Sequence, residues 1–123
     1  MLFRSYNLPR HNATLLFVTL NKSEADFSPT TLYDDYLINE HKFHWQSQNT
    51  DSHNNPGGYR YIGQSETGNK IILFVREAKK DEIGTMPFHC FGLVDYVSSH
   101  GDRPMNITWK LHSPAMPQYL NIV

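Results

Sequence analysis

The chain has 123 residues, which fits one domain and leaves no room for a second hydrophobic core. Hydrophobic residues make up 39% and charged residues 19%, a balance that excludes a disordered tail and a membrane-embedded protein. Eleven Lys and Arg against twelve Asp and Glu give a net charge of -1, so any contact with phosphate must be local. The single cysteine excludes an internal disulfide framework and zinc sites built on paired thiolates.

The first elements in chain order are a strand and a short helix. Residues 15–20 form a continuous apolar run of strand length. Residues 31–39 carry apolar side chains at helical spacing after Pro29 and a capping Thr, so we predict one short helix there.

Residues 42–48 alternate in the manner of a strand with two distinct faces. Phe43 and Trp45 would share the buried face, and His44, Gln46 and Gln48 the outer one. The polar residues 49–58 are predicted to form a loop that anchors no core.

The second half of the chain is predicted to contain only strands. Residues 59–64 and 70–77 are expected to form a hairpin across residues 65–69, with 71–75 as a central strand. Two more strands are predicted, at residues 88–97 and 106–112. The predicted fold is therefore mostly β (α+β), with about six strands in a barrel-like or strongly curved sheet and one short helix.

Several segments together resemble a domain of unknown function found at the C-terminus of bacterial superfamily-two DNA helicases, often in chains with a phospholipase-D-like nuclease. The most specific string is FHWQSQ, and the similarity extends from about Leu16 to Leu111. The segments that carry it are residues 31–36, 43–48, 60–62, 72–76, 91–97, 101 and 104–105. The resemblance implies a single accessory domain, residues 1–123, working beside DNA motors and nucleases in restriction-like defence systems. The sequence has no G-x-x-x-x-G-K-[ST] phosphate loop, so we expect no ATP hydrolysis by this chain.

With that context, we predict a DNA-recognition module that reads a modified or flipped base. Such reading needs an aromatic face together with fixed donors and acceptors. His44, Gln46 and Gln48 are predicted to contact the base edge, while Tyr61 or Tyr59 stacks on the base; Trp45 fits a core position at least as well as a pocket.

Phosphate contacts would come from cationic residues in the predicted hairpins, and Arg76 is distinctive because it continues an apolar strand and would hold its guanidinium fixed. Lys79 and Lys80 fit a solvated face better. The candidate phosphate contacts are Arg60, Arg76, Lys79, Lys80, Arg103 and Lys110.

Two alternatives stay open beside DNA recognition. Glu77 and Lys79 resemble half of a metal-dependent nuclease core, with Glu66 as the nearest second carboxylate. The module could instead dock a helicase to its nuclease without touching DNA, through exposed aromatics such as Tyr33, Tyr36 and Tyr119.

No metal or cofactor is expected. His41 and His44 would point to opposite faces of a strand, as would His89 and Cys90, and Cys90 is predicted to be a small buried residue. The expected partners are DNA and helicase or nuclease domains, with no membrane, and the expected compartment is the cytoplasm.

Overall fold

A computed structural model describes residues 5–21, 34–48, 51–78 and 83–120. Within these ranges seven strands form one mixed sheet in the order β1-β2-β5-β6-β7-β4-β3. The strands are β1 (Ser5–Leu8), β2 (Ala13–Asn21), β3 (Tyr36–Asn39), β4 (Lys42–Gln46), β5 (Lys70–Ala78), β6 (His89–His100) and β7 (Asn106–Leu111). Two short helices, α1 (Pro56–Ile62) and α2 (Gln64–Thr67), and 3₁₀ turns at Pro9–His11 and Pro117–Tyr119 complete the described ranges.

The sheet combines antiparallel neighbours with one parallel pair, β2 and β5. Both strands of that pair are apolar on both faces, as expected for strands in the interior of a sheet. Register shifts interrupt the pairing at three places, one of them between Tyr96 and Ser98 in β6. Such bulges increase local twist. The described sheet is open, with β1 and β3 at its edges, which confirms the mostly β class in its strongly curved form.

The predicted hairpin over residues 59–77 is wrong in its first half. Residues 56–67 form α1 and α2, and only the second half is a strand, β5. Asn55 starts α1 by accepting a 2.9 Å hydrogen bond from the Gly58 N–H, and Pro56 occupies the first turn. This Asn-Pro pair is a helix start. The prediction of a loop over residues 54–58 therefore missed the helix start at Asn55 and Pro56.

The predicted helix over residues 31–39 is also wrong where it can be checked. Residues 31–33 lie outside the described ranges, and Tyr36–Asn39 is the edge strand β3, paired with β4. The Asn39 side chain accepts from the N–H groups of His41 and Lys42 at 2.8 and 2.9 Å, which forms the turn between the two strands. Cross-strand pairing outweighs the weak helical preference of this short segment.

The core on one side of the sheet is an aromatic cluster closed by α1. Trp45 on β4 and Trp109 on β7 are fully buried, and Tyr61 of α1 packs edge-on against both, at centroid distances of 5.1 and 6.2 Å. Gly58 lets α1 pack closely against the preceding segment at Ser52, because a Cβ at position 58 would overlap the Ser52 carbonyl oxygen. The sheet therefore fixes the position of α1.

Gln64 of α2 covers the part of β6 that extends beyond β5. Its Oε1 accepts from the Tyr96 N–H at 2.8 Å, and its Nε2 donates to the Val94 carbonyl at 3.2 Å. The side chain thus satisfies backbone groups that the next strand would otherwise pair. None of the helices in the described ranges is long and apolar enough to cross a membrane.

Candidate functional site

The predicted base-reading side chains on β4 are committed to contacts within the protein. His44 is 8% exposed, its Nδ1 lies 2.8 Å from the Asp34 carbonyl oxygen, and its ring stacks on Tyr36. Gln46 accepts from the Asp34 N–H at 2.6 Å and donates to Asn106 Oδ1 at 3.1 Å. These bonds tie the segment before β3 and the neighbouring strand β7 to β4.

Gln48 and the aromatic candidates divide between buried and exposed positions. Gln48 is half-buried, and its carbonyl accepts from the Asp51 N–H at 3.0 Å. Trp45 and Tyr61 are fully buried in the core, so neither ring is available to stack on a base. Tyr59 is 45% exposed on α1, which leaves it as the accessible ring of the predicted set.

Arg76 is held inside the protein. It is 7% exposed, its Nε donates to Thr19 Oγ1 at 2.9 Å, and its Cζ lies 4.4 Å from the centroid of the Phe88 ring. A third contact, from Nη1 to the Met86 carbonyl, measures 3.5 Å. The guanidinium is fixed, as predicted, but its partners belong to the chain itself.

Of the remaining predicted cations that the structure describes, Arg103 and Lys110 lie at opposite ends of β7. Arg103 is exposed in the turn between β6 and β7, where its N–H donates to the Asp51 carbonyl at 2.9 Å. Lys110 is exposed on β7. Lys79 and Lys80 lie outside the described residues.

Arg60 lies in a groove of about 250 Å³ between the start of β2 and the two helices. We call it the Arg60 groove. Its lining residues are Asn7, Pro9, Asn12, Arg60, Thr67 and Asn69.

Hydrogen bonds among its lining residues fix the wall of the Arg60 groove. Asn69 Nδ2 donates to Thr14 Oγ1 at 3.1 Å and to the Arg60 carbonyl at 3.2 Å. Asn12 Nδ2 donates to the Thr67 carbonyl at 2.8 Å. Among the described residues, none accepts a hydrogen bond from the Arg60 guanidinium. The groove therefore presents a half-buried cation in a rigid polar setting.

Two cationic segments flank the Arg60 groove, and the acidic Glu66 lies next to its lining residue Thr67 on α2. Arg10 and His11 follow Pro9 in the 3₁₀ turn, and Lys70 follows Asn69, with all three side chains exposed. The Lys70 N–H donates to the Asn12 carbonyl at 2.8 Å, which joins the two cationic segments. The surface next to the groove therefore carries the cations Arg10 and Lys70 and the carboxyl group of Glu66.

Asp51 lies behind Arg60 and is 6% exposed. Burial raises the pKa of the Asp51 carboxyl, while the nearby positive charge of Arg60 opposes that rise. Its Oδ2 is buried and has no hydrogen-bond partner in the described part of the chain. Arg60 and Asp51 therefore attract each other, while burial favours the neutral form of the Asp51 carboxyl.

The structure separates the carboxylates of the nuclease alternative. Glu66 lies on α2, before β5 begins, and Glu77 lies near the other end of that strand. Seven residue-to-residue steps along β5 separate Lys70 from Glu77, roughly 23 Å at about 3.3 Å per step. In ranges 5–21, 34–48, 51–78 and 83–120, no group of three His, Cys, Asp or Glu side chains has the arrangement to hold a metal ion.

Two smaller expectations about single residues are wrong. Cys90 is exposed, because it precedes the buried Phe91 on β6 and its side chain takes the other face. Tyr119, predicted to be an exposed docking residue, is 3% exposed and packs edge-on against Phe91 at 5.1 Å.

The sequence predicts Arg60 as a phosphate contact but does not indicate the asparagines around it. Asn12 has a left-handed backbone with φ of 48°, and Asn69 follows Gly68, which also has positive φ. These turn signals indicate where the chain reverses. They do not reveal that Asn7, Asn12 and Asn69 meet across the sheet.

The comparison with curated proteins gives no match. A family model does match, and it covers residues 4–121, which includes every element described above. The chain therefore belongs to the family described as Domain of unknown function (DUF3427).

Proposed function

We propose that this domain is a DNA-recognition accessory module and that the Arg60 groove is its nucleotide contact. The observation that carries the proposal is the half-buried Arg60 in a groove lined otherwise by three asparagines, Thr67 and Pro9, with the exposed cations Arg10 and Lys70 next to lining residues in the sequence. A guanidinium offers paired N–H donors that match the oxygens of a phosphate or the edge of a guanine.

The groove suits one nucleotide better than a long stretch of duplex. Its volume of about 250 Å³ lies just below the ~300 Å³ at which ordinary small-molecule pockets begin. The asparagine side chains are hydrogen-bonded into a fixed wall around Arg60, and Tyr59 is an exposed ring on the same helix as Arg60. These features support the finer proposal of a modified or flipped base.

The proposed setting is a helicase or restriction-type nuclease system, in the same chain or a partner chain. It rests on the resemblance of the sequence to domains that accompany such enzymes. In that setting the module would supply target recognition, and a separate motor or nuclease would act on the DNA. The domain would recruit and position rather than cut.

Fluorescence anisotropy with plain, methylated, hydroxymethylated and single-stranded oligonucleotides tests the proposal. Arg60→Gln should weaken binding about tenfold, equivalent to ~1.4 kcal/mol, and should lower the slope of log K against log salt by about 0.9 for a lost phosphate contact. Lys42→Gln is the matched control, because it removes one exposed positive charge on β4, near the other edge of the sheet.

Two outcomes would contradict the proposal. One is the absence of binding by the wild-type domain to every oligonucleotide at low salt. The other is an equal loss for Arg60→Gln and Lys42→Gln, because that result would reflect overall charge rather than the groove.

Protein docking is the second candidate, and a different observation favours it. Leu93 and Val97 on β6 are 38% and 44% exposed, and Tyr36 on the edge strand β3 is 42% exposed. Exposed apolar and aromatic side chains of this kind are common at protein interfaces. Tyr33 lies outside the described residues. Binding to a helicase or nuclease partner that barely weakens with added salt would favour docking over DNA contact.

A further inference from the structure

Four side chains form a continuous hydrogen-bonded array at the end of β6 that extends beyond the start of β5. Asp102 Oδ1 lies 2.8 Å from His53 Nδ1, His53 Nε2 lies 2.7 Å from Ser99 Oγ, and Ser99 Oγ lies 2.7 Å from the Tyr96 hydroxyl. Carboxylate, imidazole and hydroxyl thus stand in the order in which hydrolases activate a serine. We call these residues the Ser99 array.

Strand β6, the turn that follows it and the main chain at His53 hold the residues of the Ser99 array in place. Tyr96 and Ser99 lie on β6, and the Tyr96 ring packs edge-on against the buried Trp109 at 6.2 Å. Asp102 lies in the turn that follows, after Gly101 with φ of 74°. The His53 backbone N–H also donates to Asp102 Oδ1, at 2.7 Å. The imidazole is therefore held by its main chain as well as by its ring.

The hydrogen-bond directions follow from the chemistry of the groups. With Asp102 ionised, Nδ1 of the neutral His53 ring must donate to it, so Nε2 is an acceptor. Ser99 then donates its only proton to Nε2, and the Tyr96 hydroxyl must donate to Ser99 Oγ. Hydrogen bonds from His53 lower the pKa of Asp102, which keeps the carboxylate in the ionised form that this order requires.

We propose that Ser99 is a nucleophile for small acyl esters, with His53 as its general base and Asp102 as the positioning residue for His53. Ser99 Oγ attacks the acyl carbon and its proton passes to His53 Nε2. The bond from that carbon to the alcohol oxygen breaks, and the leaving alcohol takes the proton from His53. Water then attacks the acyl-enzyme, gives a proton to His53, and Ser99 leaves and regains its proton.

Tyr96 supplies a hydrogen-bond donor for the oxyanion that forms in such a reaction. Once Ser99 Oγ bonds to carbon, the Tyr96 hydroxyl 2.7 Å away can donate to the oxyanion that develops on the same carbon. Substrate reaches Ser99 from the solvent side, since Trp109 lies behind Tyr96. The His53 and Asp102 side chains are 31% and 48% exposed, so an open centre acting on small, activated esters is expected, with modest rates.

Covalent labelling of the wild-type domain tests the proposal directly. A fluorophosphonate probe should form a single adduct, and peptide mass spectrometry should place it on Ser99. Ser98→Ala is the matched control, because this exposed serine is the next residue on β6 and has none of these partners. Ser99→Ala should abolish labelling and Ser98→Ala should leave it unchanged.

Hydrolysis of 4-nitrophenyl acetate gives the second readout. His53→Gln should lower the rate at least a hundredfold, the usual contribution of a general base, while the exposed His100→Gln should leave it unchanged. Asp102→Asn should slow labelling of Ser99, and Asp102→Glu should restore part of the labelling rate.

The result that overturns the proposal is a folded wild-type domain that is not labelled at Ser99. Hydrolysis that survives Ser99→Ala would overturn it as well. If Ser99→Ala or His53→Gln lowers only the melting temperature, the array is a structural clamp on the loop before α1. None of these outcomes bears on DNA binding, because the oligonucleotide assay uses Arg60 variants of the same chain.

Discussion

Replacing Arg76 by Met should destabilise the domain while leaving its binding to DNA unchanged. The hydrogen bond from Nε to Thr19 involves a charged donor and contributes about 1.5 kcal/mol or more, and the contact with the Phe88 ring adds about 1 kcal/mol. Met retains the packing of the aliphatic stem. We therefore expect a loss of about 3 kcal/mol, or roughly 10 °C in melting temperature for a domain of this size.

Urea unfolding followed by tryptophan fluorescence measures this loss, because Trp45 and Trp109 are both buried. Thr19→Val removes the acceptor and keeps the shape, so the double variant with Arg76→Met should reveal a coupling energy of about 1 to 2 kcal/mol. An unfolding free energy of Arg76→Met within ~0.5 kcal/mol of wild type would refute the stabilising role of Arg76. If DNA binding fell at the same time, Arg76 would be a ligand contact, as the sequence alone predicts.

Three further predictions concern α1, α2 and the loop before them. Gly58→Ala should lower the free energy of unfolding, measured in urea, by about 2 kcal/mol or more, because the added Cβ overlaps the Ser52 carbonyl. A decrease below ~0.5 kcal/mol would mean that α1 does not pack so closely against Ser52. Gln64→Leu should cost about 2 kcal/mol and should speed hydrogen exchange at the Tyr96 amide, since both backbone partners on β6 lose their bonds; unchanged exchange would contradict the capping role. Asp51→Asn should stabilise the domain at neutral pH and lose that advantage as the pH falls towards 3.8. Burial raises the folded-state pKa above that value, so the wild type loses stability as the pH rises through the raised pKa; equal melting temperatures of the two proteins at pH 7 would refute this.

The sequence predicts most of the strands because burial on one or both faces leaves a direct pattern. Apolar runs locate β2 and β5, and the alternation in β4 correctly assigns Phe43 and Trp45 to the core. Edge strands such as β3 are harder to predict, since three of its four residues are exposed and the pairing with β4 is what holds it extended. The helices were missed because Asn55 and Pro56 serve a helix start and a loop equally well.

Which polar side chains are available for binding depends on partners that are far away in the sequence. Thr19 is 57 residues from Arg76, and Thr14 is 55 residues from Asn69. A single sequence does not show such pairs, so Arg76 and Gln46 looked available although both are hydrogen-bonded within the protein. The sequence around Arg60 does not distinguish it from the exposed cations of the chain. Only the position of α1 on the sheet places it in a groove.

Residues 51–69, which include α1 and α2, contribute a side chain to both the Arg60 groove and the Ser99 array. His53 lies before α1 and joins the Ser99 array, Arg60 lies within α1, and Tyr61 anchors the helix against the tryptophans. Tyr61 is buried, whereas His53 and Arg60 are both partly exposed. Substitution of His53 or Arg60 should therefore affect one site at a time, while substitution of Tyr61 should affect both. A His53→Gln variant that weakened DNA binding as much as Arg60→Gln would mean that the loop before α1 also positions the Arg60 groove. Equal binding by His53→Gln and wild type would mean that Tyr61 and the sheet position it without that loop.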